Sequence, residues 1–144
     1  MGAEVKYTAT AGMELEDRQK TARSYSPDLF ISVHHNGPGS YGAYTYAMSN
    51  TENPAYYEEY NQEAIDLLAM RLQSALVSGG GFVNRGIKYN DFFMLRETNI
   101  VSGLLEIAYL YDEYDRTRLL NHDIMEKITN QLVIAIESYF LDQV

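Results

Sequence analysis

Apolar positions along the chain follow two spacings, and the switches between them mark the elements. From Asp28 to Asn36 the run Leu29, Phe30, Ile31 and Val33 is too short for a helix. It is entered from Pro27 and left through Asn36-Gly37-Pro38, which predicts a buried strand. Ahead of it, the alternation of Val5 and Tyr7 before Thr8 predicts a short opening strand. Thr10-Ala11-Gly12 is a loop, and Leu15, Arg18, Gln19 and Ala22 fall at helical spacing, which predicts a short amphipathic helix over 13–25. Beyond Asn36, the segment 37–42 is too rich in glycine for a regular element, while 43–48 has strand composition. The segment 49–54 is a second break with helix-start chemistry at its end.

From about 55 to 77, Ile65, Leu68, Ala69, Leu72, Ala75 and Leu76 recur at three- and four-residue intervals, giving a long helix with one buried stripe that Gly79-Gly80-Gly81 stops. The segment 82–88 follows, then Phe92-Phe93-Met94-Leu95-Arg96 predicts a strand, and 101–108 predicts another. A turn at 112–115 leads into a last helix over 114–141, with Leu119, Ile124, Ile128, Leu132, Ala135, Ile136 and Phe140 on its core face. Strands alternating with helices give an α/β fold class: a twisted, mostly parallel sheet flanked by helices on both faces.

Composition narrows the function classes. The 144 residues suffice for one domain with a core of its own, 46% of them hydrophobic and with no internal repeat. No apolar run approaches the ~20 residues of a membrane span, and no basic-then-apolar leader opens the chain, so no export signal is expected in it. Cysteine is absent, which removes disulfides, thiolate metal sites and a cysteine nucleophile. A net charge of −9 argues against nucleic-acid binding, which needs a basic face to displace counterions. The 13 tyrosines suit either the lining of a polar polymer groove or half-buried packing.

Two chemical oddities stand out. His34 and His35 sit where the first long strand ends, and the carboxyl ends of strands in an open α/β sheet are where ligands bind. An imidazole there suits a zinc ion or acid–base work. Consecutive strand residues point to opposite faces, so the two are not expected to share a site. Glu106 sits at the end of the apolar strand 101–108. An ionised carboxylate in such a strand costs several kcal/mol unless it is paired, hydrogen-bonded or protonated, and Arg85 and Arg96 are candidate partners.

Five segments in register carry a resemblance: Leu15-Glu16-Asp17-Arg18, Asp28 through Asn36, Asn84-Arg85-Gly86-Ile87-Lys88, Phe93 through Thr98, and Leu104-Leu105-Glu106-Ile107-Ala108-Tyr109-Leu110. Together they resemble the zinc-dependent N-acetylmuramoyl-L-alanine amidases of the cell-wall hydrolase type (amidase type 3) across about 5–140. The resemblance implies cleavage of the amide between N-acetylmuramic acid and the L-alanine of the peptidoglycan stem peptide. His34 falls on the family's zinc-binding histidine, while His35 falls on a usually small, non-ligand position. Glu106 falls on its catalytic glutamate, the general base of a zinc-water mechanism, although Ile107-Ala108-Tyr109 departs from the family's Leu-Gly-Phe. Arg96, Asn84 and Arg85 are the implied substrate-binding residues, facing the amide carbonyl or the stem-peptide carboxylates. The implied cofactor is Zn2+, the implied partner is peptidoglycan, and the implied location of the parent protein is extracellular, at the cell wall or in the periplasm.

One departure is large. The family's first strand, ending in Gly-His-Gly-Gly, and the glutamate of the following helix have no counterpart here, and His122 is expected in solvent near the start of the last helix. Residues 1–144 are therefore expected to be a single amidase-like domain corresponding to about the C-terminal two-thirds of the family pattern, N-terminally truncated, with self-association through an exposed sheet edge. Two readings of other classes stay beside this one: an inactive amidase-like module that binds peptidoglycan or a cell-wall partner, and an α/β interaction module in which His34 and Glu106 are merely satisfied polar groups.

Overall fold

A computed structural model of the protein describes residues 2–8, 12–49 and 61–142. Its elements run α1 (Leu15–Ser24), β1 (Phe30–Asn36), β2 (Ala43–Ala47), α2 (Gln62–Gly80), β3 (Asn84–Tyr89), α3 (Phe93–Arg96), β4 (Ser102–Tyr109), α4 (Glu113–Leu119) and α5 (His122–Leu141). The strands form one sheet in the order β1-β4-β2-β3. β1 pairs parallel with β4 and β2 parallel with β3, while β2 and β4 run antiparallel, so the sheet is mixed with two of its three pairings parallel. β1 and β3 are its edges among the described strands.

The alternation within β4 sorts the two faces. Gly103 lies against Leu72 of α2, and Leu105 and Ile107 join Leu68, Leu72 and Leu76 in the main core. Ile128 and Tyr139 of α5 close the same cluster from beyond α2. On the opposite face Phe30 packs with Ala22 of α1 and Met94 of α3, which covers only the beginning of β1. The rest of that face, from Ser32 onward, carries the candidate chemistry.

Four sequence expectations are corrected or redrawn. Residues 2–8 form no regular element and Val5 and Tyr7 are exposed; alternation needs a neighbouring strand to become a ladder, and no described strand lies there. The expected strand at 92–96 is instead the helical turn α3, closed by Leu95 and Arg96 amides donating to the Phe92 carbonyl. A short apolar run reads equally as strand or buried helix, and here burial of Met94 and Leu95 chose the latter. The helix expected from 114 to 141 is two, because the Asn121 side chain accepts from the Ile124 amide and starts α5 afresh, with Leu120 left in solvent. Tyr139, rather than Phe140, faces the core near its end. The front of the helix expected from 55 lies outside the described residues; its described part starts after Asn61, which caps the Ala64 amide.

α2 runs to Gly80, and Gly81 ends it in the left-handed conformation at φ 63°. The glycines inside its last turn are there for contact. A methyl group on Gly79 would stand 2.7 Å from the Ile128 Cα and 2.9 Å from its nitrogen, backbone atoms of α5 that have nowhere to go. Gly79→Ala, which helix propensity alone favours by about 1 kcal/mol, is therefore expected to destabilise the protein by about 1–3 kcal/mol through overpacking. A urea titration followed by circular dichroism measures it, and a raised midpoint would show that α5 yields.

Candidate active site

The register of the sheet decides which side chains meet. His34 of β1 and Glu106 of β4 are directly paired, and on the other side of β4 Tyr44 of β2 is paired with the same Glu106. Paired positions share a face. His34, Glu106 and Tyr44 thus stand in one row across three strands, although they come from distant parts of the chain. From β3, Lys88 leans over this row, its Nζ 3.6 Å from the centre of the Tyr44 ring and 5.9 Å from that of Tyr46. Tyr46 meets Tyr44 edge-on at 5.0 Å and is itself backed by Phe92 at 4.7 Å.

Hydrogen bonds fix the row at its ends. The Tyr44 hydroxyl donates to Asn36 Oδ1 at 2.8 Å, and His34 Nε2 is 3.0 Å from the Ser32 hydroxyl, two residues back on the same face. A buried carboxylate aligns the strands from beneath. Asp115 Oδ2 accepts from the Gly42 amide at 2.7 Å and from the Tyr109 amide at 3.0 Å, joining the start of β2 to the end of β4. Gly42 is required there: its φ is 89°, and a Cβ would stand 2.4 Å from the Val83 carbonyl oxygen.

Glu106 is the member whose side chain lacks a partner. Its Oε2 is buried with no hydrogen-bond partner. Burial pushes its carboxyl above the ordinary carboxylate range, and the nearby Lys88 charge pulls part of the way back. A carboxylate so placed is a better proton acceptor near neutral pH than an exposed one. Burial, with the phenols of Tyr109 and Tyr46, pushes the Tyr44 hydroxyl upward, so it stays protonated. His35 follows His34 on the strand; partial burial and then the His34 charge lower its pKa.

The expected substrate-binding residues are placed as follows. Arg96 is held by Glu97 at 2.6 Å and Asp91 at 3.0 Å. The Asn84 side-chain oxygen accepts from Gln73 of α2 and from the Gly86 amide, which ties it into the packing of β3 on α2. Arg85 lies over the Tyr41 ring at 5.4 Å. None of these three stands in the row of His34, Glu106 and Tyr44. Sequence reasoning missed Lys88 and Tyr44. The signal for both was strand alternation, Tyr44 with Tyr46 and Gly86 with Lys88, but it becomes informative only once the pairing of β2 with both neighbours is known. His122 is exposed in the first turn of α5, as expected.

Zinc takes three or four protein ligands. Among the described residues no group of three or more His, Cys, Asp or Glu side chains is arranged to hold a metal ion. His34 with Glu106 offers one imidazole and one carboxylate, and this donor set does not by itself fit zinc.

The family model described as N-acetylmuramoyl-L-alanine amidase matches residues 1–138. The uncharacterized protein YqiI of Bacillus subtilis is 29% identical over 128 residues, covering 89% of this chain and 59% of that protein. The probable cell wall amidase LytH of Staphylococcus epidermidis is 27% identical over 142 residues, covering 96% of this chain and 43% of that protein. Among solved structures, the catalytic domain of CwlV, an N-acetylmuramoyl-L-alanine amidase from Paenibacillus polymyxa, superposes with a TM-score of 0.74 at 26% identity, covering 89% of this chain and 66% of that one. The chain spans about half the length of the curated relatives it matches.

Proposed function

The chain belongs to the N-acetylmuramoyl-L-alanine amidase family, and from that premise we propose that the protein is a peptidoglycan hydrolase that cuts the amide between N-acetylmuramic acid and the L-alanine of the stem peptide. Residues 1–144 serve as one catalytic domain in this reading. The observation that supports it is the buried, unpartnered Glu106 oxygen in a row with His34. A carboxylate left without a partner is costly to keep, and a proton acceptor must have a free lone pair to act. The same cost counts against an inactive module that only binds the polymer.

The chain's own residues account for the proton movements. Glu106 takes a proton from the water that attacks the lactyl carbonyl carbon. A carbon–oxygen bond forms, and the carbonyl electrons move onto its oxygen. When they return, the carbon–nitrogen bond breaks, and Glu106 gives its proton to the departing alanine nitrogen. The products are the muramoyl carboxylic acid and a peptide with a free L-alanine amine. His34 is the residue assigned to a metal by this reading, and zinc binding requires donors other than those the described residues bring together. The substrate is a cell-wall polymer, which places the protein at the cell wall, outside the membrane; no helix of the described residues is long and apolar enough to cross one.

The test is release of new L-alanine amino termini from purified peptidoglycan, with zinc supplied. We expect time-dependent release that His34→Ala abolishes. Retention of the chain on the polymer with no new amino termini would overturn the catalytic reading in favour of a binding module.

A further inference from the structure

Resting on the reading above that the polymer is peptidoglycan, we propose that Lys88, held over the rings of Tyr44 and Tyr46, is a specificity residue that receives a carboxylate of the stem peptide next to the scissile amide. It makes the protein selective for peptides in which that group is a free carboxylate rather than a carboxamide.

Three observations carry the assignment. The first is that the Lys88 ammonium is close enough to Glu106 to act on its charge, yet among the described residues no carboxylate stands within ion-pair distance of it. The cations Arg71 and Arg96, by contrast, are matched to Asp142 and to Asp91 and Glu97. Aromatic faces attract such a charge without neutralising it, so its capacity for an anion is kept.

The second observation is direction. A lysine on an edge strand ordinarily extends into water, where it guards against pairing with another chain. Lys88 instead folds inward across the sheet, with its Nζ 3.6 Å above the Tyr44 ring. The Tyr44 ring is in turn locked by Asn36 at its hydroxyl and by Tyr46 at its edge, so the platform is rigid.

The third is spacing. Glu106 has His34 on one side and Tyr44 on the other, with Lys88 above Tyr44. Neighbouring strands lie about 4.8 Å apart, and one residue of extended peptide spans about 3.5 Å. A peptide crossing the strands with its scissile amide at Glu106 therefore brings the next residue along over Tyr44. The residue after L-alanine in a stem peptide is a D-isoglutamyl unit, whose α-carboxyl occurs either free or amidated. An ammonium distinguishes the two forms: it attracts the anion across the site and gains little from the neutral amide.

The experiment is calorimetric titration of two soluble ligands, muramoyl-L-alanyl-D-isoglutamate and its isoglutamine counterpart, into the 144-residue chain carrying Glu106→Gln so that nothing turns over. The acid is expected to bind about tenfold tighter than the amide. Adding Lys88→Met, which keeps the stem over the rings, is expected to bring the ratio to about one, while Lys88→Arg retains most of it. Equal binding of the two ligands by the parent chain, a preference that survives Lys88→Met, or no measurable binding of either ligand at millimolar concentration would each overturn the proposal. Selectivity without any release of amino termini in the polymer assay would leave this assignment standing and remove the catalytic reading; release without selectivity would do the reverse.

Discussion

Glu106→Gln is expected to abolish amide hydrolysis and, at neutral pH, to make the protein more stable. Gln is nearly isosteric but takes up no proton from the attacking water, and loss of a general base costs about 10²–10⁴-fold in rate. The stability gain follows from the burial of the Glu106 carboxyl. Its carboxyl titrates above its ordinary value in the folded protein because burial disfavours the charge, with Lys88 offsetting part of that. A raised folded-state pKa means that the folded state favours the protonated form. Its contribution is fully present below the ordinary carboxylate range and is lost as pH rises through the raised value. Glu106→Gln has no such loss. The difference from the parent chain should be close to zero near pH 4 and reach about 1 kcal/mol at pH 7.5, the scale of an unpartnered buried oxygen partly screened at the sheet rim. For a protein of this size that is a rise of about 3 °C in Tm. Thermal melts at the two pH values check the sign. A variant less stable than the parent at pH 7.5 would mean that ionised Glu106 is well solvated, and its role as the costly reactive group would fall with that result.

Asp115→Ala should give the largest loss of stability. Asp115 is fully buried, and one of its oxygens serves two backbone amides, those of Gly42 and Tyr109. Removing it orphans both, at about 1–3 kcal/mol each. A total of about 3 kcal/mol, or roughly 10 °C in Tm, is expected. Asp115→Asn keeps an acceptor and should recover about half. Activity should fall beyond what unfolding explains, because the carboxylate ties together the segments that carry Tyr44 and Glu106. Urea unfolding together with the peptidoglycan assay separates the two effects. A loss under about 1 kcal/mol would show that water takes the place of the carboxylate.

Asp115 also shows where sequence reading ran short. The turn at 112–115 was legible, and Asp112 does cap α4 by accepting from the Asp115 amide. That the Asp115 side chain would turn inward to amides from two other segments was not, since a hydrogen bond spanning 73 positions leaves no local trace. The same contrast separates the elements. β1, β2, β4 and the apolar stripe of α2 each repeat at the period of their own geometry, so the residues announce them. α3 and the break at Asn121 turn on a few residues whose local preferences are evenly matched, and burial or a single side-chain cap settled them.

His34 and Glu106 were both visible as polar groups at the ends of apolar strands, and the family resemblance attached roles to them. By itself, then, the sequence determined the fold class and the α/β alternation and marked these two residues as candidates, because periodicity and an out-of-place polar group are properties of a segment. Only the tertiary structure decided that β2 runs antiparallel to β4, and hence that Tyr44 and Lys88 stand beside Glu106 while Arg96 and Asn84 are engaged elsewhere. Strand order and register are fixed by the joint packing of α2, α5 and the sheet, a free energy shared among residues far apart in the chain and therefore written in no single stretch of it.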